Sequence, residues 1–259
     1  MFGIDGYRVL VTASTKGIGK GVARVLLREG AVVTVCSRNE ENVKAAVKEL
    51  SEIGTVYGFV ADLTKRADVE ALVRKAADAM GGIDSLVYVT GPPKPGVFSE
   101  ISEEDWDYGI RLLIKSAIWV TRYALPYIKA SGRGSIVYVT SVAVKEPIPN
   151  IVLSNTLRIA VHGLAKSLSR ELAPDVRVNA VLPGHIMTDR AIQLAEDVAR
   201  RTGRSVEEVL AERAATIPLR RLGKPEDVGY LVAFLISPYA SYITGASIPV
   251  DGGLLTSVF

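Results

Sequence analysis

The sequence predicts a doubly wound α/β fold, a seven-stranded parallel sheet with helices on both faces, and three observations predict it. Seven short apolar runs alternate with segments of helical periodicity along the chain. The first run passes through a glycine-containing turn, 12–19, straight into a helical pattern, as happens where a strand hands over to a helix at a ligand edge. The chain has 259 residues, 48% of them hydrophobic, enough for one large core, and no linker, repeat or low-complexity tract divides it. A single domain over 1–259 is therefore expected.

The strand candidates are 9–11, 32–36, 56–60, 85–89, 135–139, 176–181 and 246–250. Most read as near-continuous apolar stretches, as strands covered on both faces require. Between them lie amphipathic segments at 17–29, 40–53, 66–80, 103–128, 151–172 and 226–236, each long enough to cross from one parallel strand to the next. Right-handed crossovers distribute such helices over both faces. The rhythm breaks once, at 187–217, where two short helical patterns are separated by Thr202-Gly203-Arg204, with Ser205 and Glu208 spaced as a capping box. An insertion there, at the carboxyl edge of the sheet, is expected to act as a lid over a substrate. Tyr138, alternating with Val137 and Val139, is expected to pack within the sheet.

The charge balance is +3, with Lys and Arg scattered among acids and no basic run interleaved with aromatics, so no nucleic-acid partner is expected. No uninterrupted apolar stretch reaches membrane length and no charged leader with a cleavage site opens the chain, which predicts a cytoplasmic protein without a membrane partner. Cys36, the single cysteine, cannot form an internal disulfide and is expected to pack. No metal site is expected.

The turn Thr12-Ala-Ser-Thr-Lys-Gly17-Ile-Gly19 suits a pyrophosphate, because glycine lets the backbone approach closely and the free N–H groups and dipole of a helix start favour an anion. Thr12, Ser14, Lys16, Gly17, Ile18 and Gly19 are its candidate contacts. An alanine, Ala13, stands where a further glycine is usual, which narrows the turn without forbidding it. Strand two ends Val35-Cys36-Ser37-Arg38, without the carboxylate that binds an adenosine ribose diol in NAD sites. Ser37, Arg38 and Lys16 suit a 2′-phosphate instead, since a guanidinium pairs with phosphate bidentately. NADP(H) is therefore the expected cofactor, with NAD(H) a weaker alternative.

The pattern Thr-(Gly/Ala)-x-x-x-Gly-Ile-Gly resembles the nucleotide loop of the short-chain dehydrogenase/reductase family, and further similarities run nearly the full length of the chain. Asp62-Leu63 resembles that family's adenine contact. Tyr88-Val-Thr-Gly91 takes the place of its Asn-Asn-Ala-Gly and retains only Gly91. Pro183-Gly184, with Ile186 and Thr188 beyond, resembles the loop that holds the nicotinamide carboxamide, and Asp251-Gly-Gly253 closes the last strand as in family members. The resemblance implies a Rossmann-like fold, a dinucleotide cofactor and homo-oligomers, tetramer or dimer, formed through the helices at 103–128 and 151–172.

It also implies a catalytic Ser, Tyr and Lys, with an Asn on the preceding helix. Aligned on the strand ending Thr140-Ser141, the family Ser falls at Ser141, but the Tyr position holds Ser154, the Lys position Arg158 and the Asn position Leu113. An alkyl hydroxyl is far less acidic than a phenol and reaches less far. Arg158 can hydrogen-bond the nicotinamide ribose as Lys would, yet it keeps its proton at accessible pH. Lys145 is the leading candidate for a substitute proton donor. His185 is expected on a loop facing solvent or a subunit contact, and His162 in a helix interface. Two readings follow. One is an oxidoreductase moving a hydride between NADP(H) and a small carbonyl or alcohol of 3-oxoacyl, sugar or polyol type. The other is a nucleotide-binding protein of the same fold without redox activity.

Overall fold

The computed structural model describes residues 2–258. Strands β1 (Arg8–Val11), β2 (Val32–Ser37), β3 (Val56–Val60), β4 (Ser85–Tyr88), β5 (Gly134–Val139), β6 (Val176–Pro183) and β7 (Ser247–Val250) form one sheet in the order β3-β2-β1-β4-β5-β6-β7. Every pairing is parallel. The seven expected runs are thus the seven strands, displaced at their ends by no more than two residues. Successive crossovers reverse direction between β1 and β4, which opens a crevice at the carboxyl ends of those strands.

Side-chain alternation sorts the core into two layers. Val9 and Val11 of β1 face a cluster built with helices α1 (Gly17–Arg28), α2 (Glu40–Leu50) and, near the chain's end, the helix Pro225–Ile236. Leu10 faces the other way, into a cluster with α3 (Arg66–Met80) and the long helices that follow β4 and β5. Helix α1 and the helix Pro225–Ile236 approach very closely: a Cβ at Gly21 would lie 2.3 Å from Pro225 Cβ, and one at Gly229 2.8 Å from Val25 Cγ2. Any side chain at either position would push the two helices apart.

The segment expected as one helix over 103–128 is interrupted. Helix α4 (Glu103–Gly109) widens into a π turn, Ile110–Lys115, before α5 (Ser116–Ala130). Side chains from inside and outside the helix hold the widened turn. Tyr88 of β4 donates its phenolic proton to Leu113 O at 2.8 Å, and Ser116 Oγ donates to Leu112 O, so side chains satisfy carbonyls in the widened turn. Tyr88 is buried and packs edge-on against Tyr138, whose hydroxyl meets Thr121 Oγ1 at 2.6 Å. Tyr138 therefore packs within the sheet, as its alternation predicts.

Helix α6 (Val152–Glu171) returns the chain to β6. The irregular stretch then supplies α7 (Asp189–Thr202) and α8 (Val206–Ala215), which share a small cluster of Ala195, Ala199 and Val209. The Ser205–Glu208 capping box forms as expected. The helix Pro225–Ile236, α9, precedes β7. At the opposite end of the sheet, the fully buried Asp84 carboxylate accepts from Arg8 N at 2.7 Å, Arg8 Nε at 3.1 Å, Arg8 Nη2 at 2.6 Å and Arg133 Nη2 at 2.9 Å.

Candidate active site

A cleft of about 550 Å³ opens at the carboxyl ends of β1, β2 and β4. Its floor is the glycine turn. Gly17 adopts φ +52° and Ala13 φ +44°, the latter in the left-handed region that penalises a Cβ. A Cβ at Gly19 would fall 2.4 Å from Ala13 O, so only glycine lets α1 start this close to the turn. Lys16 takes the N-cap position without a side-chain cap, and the first turn of α1 carries no acid. The N–H groups of Gly17, Ile18 and Gly19 thus meet no competing side chain, which suits an anion. Because Ala13 is strained, Ala13→Gly is expected to stabilise the protein by up to about 1 kcal/mol, less than the full left-handed penalty because glycine also loosens the unfolded chain. A lower urea midpoint in the variant would contradict this.

Thr12 and Ser14 do not line the cleft; they brace the turn from within. Thr12 Oγ1 donates to Val89 O at 2.6 Å and accepts from Val89 N at 2.8 Å, tying β1 to the end of β4. Ser14 Oγ donates to Val11 O at 2.6 Å and accepts from Cys36 N at 3.1 Å, tying β1 to β2. Both are fully buried. Cys36 is buried too, and burial pushes its thiol up to about 12, so it packs rather than reacts.

Lys16, Ser37 and Arg38 come together on one wall of the cleft. Arg38 Nη1 donates to Tyr108 Oη at 3.1 Å, across the cleft from α4. Asp62 and Leu63 line the neighbouring wall. Burial presses the Asp62 carboxyl upward, but hydrogen bonds to Oδ1 from Thr64 N at 3.0 Å and Thr64 Oγ1 at 2.7 Å outweigh it and hold the pKa below its ordinary value. Gly91 also lines the cleft, and a Cβ there would meet nothing within 4 Å, leaving room for a ligand against the backbone.

Farther along the sheet edge, Arg158 and Ser154 lie one helical turn apart on α6, both buried. Arg158 Nε donates to Ser154 Oγ at 3.0 Å and Nη1 to Thr140 O at 3.2 Å. Nη2 makes no hydrogen bond among the described residues. No carboxylate pairs with Arg158 among the described residues. Burial lowers its pKa, and the Tyr88 phenol, whose own pKa burial raises, opposes that. Ser141 Oγ accepts from Ala143 N at 3.1 Å, capping the short turn Val142–Val144.

The loop after β6 reaches back over the glycine turn. Gly184 N donates to Val250 O at 3.0 Å, Ile186 pairs with Gly223, and Thr188 caps α7 by accepting from Ala191 N at 3.2 Å. The Thr188 methyl would stand 3.4 Å from a Cβ at Gly17, so the Pro183–Thr188 loop and the turn face each other. Arg190, which the sequence did not single out, adds a further cation to the cleft from α7.

Lys145, like Ser141, Ser154 and Arg158, lies outside the lining of the cleft of about 550 Å³. It lies near His162, whose pKa is lowered first by burial and then by the Lys145 charge. His162 Nε2 meets Ser247 Oγ of β7 at 3.2 Å, a contact to the sheet that the sequence did not predict. His185 is half-buried and lines two cavities rather than facing open solvent. Tyr88 and Tyr108 are the other unforeseen contributors. Tyr88 showed in the sequence only as a departure from Asn, and nothing marked Tyr108. Among the described residues no cluster of His, Cys, Asp or Glu could hold a metal, and no helix is long and apolar enough to cross a membrane.

The family model described as Enoyl-(Acyl carrier protein) reductase matches residues 12–255. Dehydrogenase/reductase SDR family member 4 of Bos taurus is 40% identical over 256 residues, spanning 98% of this chain and 88% of its own. L-Sorbose reductase from Gluconobacter frateurii, solved with NADPH and L-sorbose, superposes with a TM-score of 0.96 at 28% identity over 99% of each chain. An NADPH-bound short chain oxidoreductase from Pseudomonas aeruginosa PAO1, described as containing an atypical catalytic center, superposes with a TM-score of 0.88 at 31% identity over 98% of this chain and 99% of its own.

Proposed function

The chain belongs to the short-chain dehydrogenase/reductase family, and from that premise we propose that it moves a hydride between NADP(H) and a small carbonyl or alcohol. One observation carries the reading. The glycine turn and uncapped helix start open into a cleft ending at Lys16, Ser37 and Arg38, with no carboxylate at the end of β2. The backbone N–H groups of Gly17, Ile18 and Gly19 hold the pyrophosphate, and Lys16, Ser37 and Arg38 hold the 2′-phosphate. Asp62 accepts from the adenine amino group beside Leu63. Gly91 leaves space for the ribose, and Pro183, Gly184, Ile186 and Thr188 hold the carboxamide. NADPH bound in this way supplies the hydride.

Ser154, Arg158 and Leu113 stand where the family has Tyr, Lys and Asn. Negative charge forming on the substrate oxygen is met by Ser141, Ser154 and the Arg158 guanidinium, which stabilises that oxygen without giving up a proton. The proton then comes from water. The reading draws support from the protein described as having an atypical center, which nonetheless holds NADPH. Helices α7 and α8 act as a lid on one continuous domain, and Arg190 reaching the cleft from α7 favours this. Association of copies through α5 and α6 is favoured by Ile159, which is 52% exposed on α6. The absence of a phenol at position 154 favours the second reading, nucleotide binding without redox activity.

Titration of protein fluorescence with each nucleotide tests the first reading. NADPH should bind more tightly than NADH. Arg38→Ala should weaken NADPH by about 10- to 100-fold, the worth of one or two charge-assisted hydrogen bonds, and leave NADH nearly unchanged. Equal or tighter NADH binding would overturn the cofactor assignment, and absence of 340 nm turnover with ketones, 3-oxoacyl thioesters, aldoses and polyols would favour the second reading.

A further inference from the structure

A cavity of about 180 Å³ is lined by residues that follow Ser141 and Gly184 in the chain. Val142, the chain neighbour of Ser141, and His185, the chain neighbour of Gly184, both line it, which ties the cavity to the loops that carry the candidate catalytic and carboxamide-binding residues. Its walls are mostly apolar: Val142, Pro147, Ile148, Leu254 and Leu255. Of its two ionisable neighbours, Glu146 is occupied. Glu146 Oε1 accepts from Thr256 N at 2.9 Å, Thr256 Oγ1 at 3.1 Å and Ser257 N at 2.6 Å. The His185 imidazole makes no hydrogen bond among the described residues, and burial lowers its pKa.

The segment after β7 is therefore tied at two points. Asp251 accepts from Gly253 N at 3.0 Å and from Leu255 N at 2.8 Å, and Glu146 holds Thr256 and Ser257. Between these carboxylates Leu254 and Leu255 form one wall of the cavity. Backbone hydrogen bonds to Glu146 keep its pKa below the ordinary carboxylate value, so the latch stays charged throughout the neutral range. An aliphatic cavity of about 150 Å³ is known to accept benzene. A polyhydroxylated arm entering such a space would find the His185 imidazole and the open mouth for some of its hydroxyls, but those against Val142, Pro147, Ile148, Leu254 and Leu255 would lack protein partners.

Building on the assignment as a carbonyl reductase, we propose that this cavity is the subsite for an apolar arm of the substrate, of about the bulk of a benzene ring, and that Leu255, held by the Glu146 latch, sets its depth. Sugars and polyols are disfavoured there. Calorimetric titration of benzyl alcohol into the NADPH-saturated protein tests the subsite apart from turnover. Benzyl alcohol should bind one to one and more tightly than L-sorbose. Leu255→Trp, which fills the space, should weaken it by about tenfold or more. Glu146→Gln, which keeps the shape of the latch and removes its charge, should weaken it in the same direction by a smaller factor. NADPH affinity, read by fluorescence, should stay within about twofold in both variants and so report an intact fold. No binding of benzyl alcohol, tighter binding of L-sorbose, or affinity indifferent to Leu255→Trp overturns the subsite. Carbonyl turnover alongside that indifference would retain the redox assignment and remove only the subsite. Leu255-dependent binding with no turnover of any carbonyl would do the reverse.

Discussion

Arg158→Met is expected to lower carbonyl turnover by about 10²- to 10³-fold, the range for removing one oxyanion donor, while making the cofactor-free protein no less stable. Arg158 is buried and bonded to a hydroxyl and a carbonyl, with no acid paired to it among the described residues. A buried charge in that state costs several kcal/mol of desolvation that its neighbours only partly return. Methionine fills much of the same volume without the charge. The loss of two hydrogen bonds takes back roughly 1–2 kcal/mol, so the net change in stability should lie between zero and about +2 kcal/mol. Stability and turnover thus move in opposite senses, the mark of a group retained for function. Neither Ser154 nor the guanidinium changes charge near neutrality, so kcat should also be flat over about pH 7–9. Loss of both stability and turnover in Arg158→Met would reduce Arg158 to a structural role. A clear break in the pH profile would assign the proton to another ionisable group.

Much of this arrangement was readable in the sequence because it depends on local periodicity. The seven strands and the helices between them follow from apolar spacing, and the Ser154–Arg158 pair follows from four-residue spacing on one helix. What escaped depends on contacts between distant segments. The π turn at Ile110–Lys115 takes a hydrogen bond from the Tyr88 phenol, contributed from a strand distant in the chain. Thr12 and Ser14 belong to the turn by sequence, but hydrogen bonds to β4 and β2 turn their hydroxyls inward. The nearness of Lys145 to His162, on the other side of the short turn Val142–Val144, joins two elements that chain order keeps apart. The Leu254–Leu255 wall was invisible because Glu146, 110 residues from Thr256, holds it in place.

The largest loss of stability is expected at Asp84→Ala, at about 3 kcal/mol, the low end of the range for breaking a buried charge pair. The carboxylate is fully buried, while the side chains of Arg8 and Arg133 remain 27% and 41% exposed, so both guanidinium groups can recover water once it is gone. The Arg8 backbone N–H cannot recover it as readily, and its 2.7 Å bond to Asp84 is lost outright. Arg133 keeps its stacking over the Tyr7 ring, 4.2 Å from the centroid, which limits the damage. Burial presses the Asp84 carboxyl upward, but hydrogen bonds from Arg8 and then Arg133 outweigh it, so its folded pKa lies below the unfolded value. The contribution is therefore full above the unfolded aspartate pKa of about 3.9 and is lost as pH falls through the lower folded value. Urea denaturation should show a lower midpoint with an unchanged slope at neutral pH, and a gap between the two proteins that narrows only in acid. A difference under about 1 kcal/mol would place the cluster with ordinary surface ion pairs. Asp84 immediately precedes β4, the strand that ends at Tyr88 and leads to Gly91, so its bonds to Arg8 tie the entry of that strand to β1.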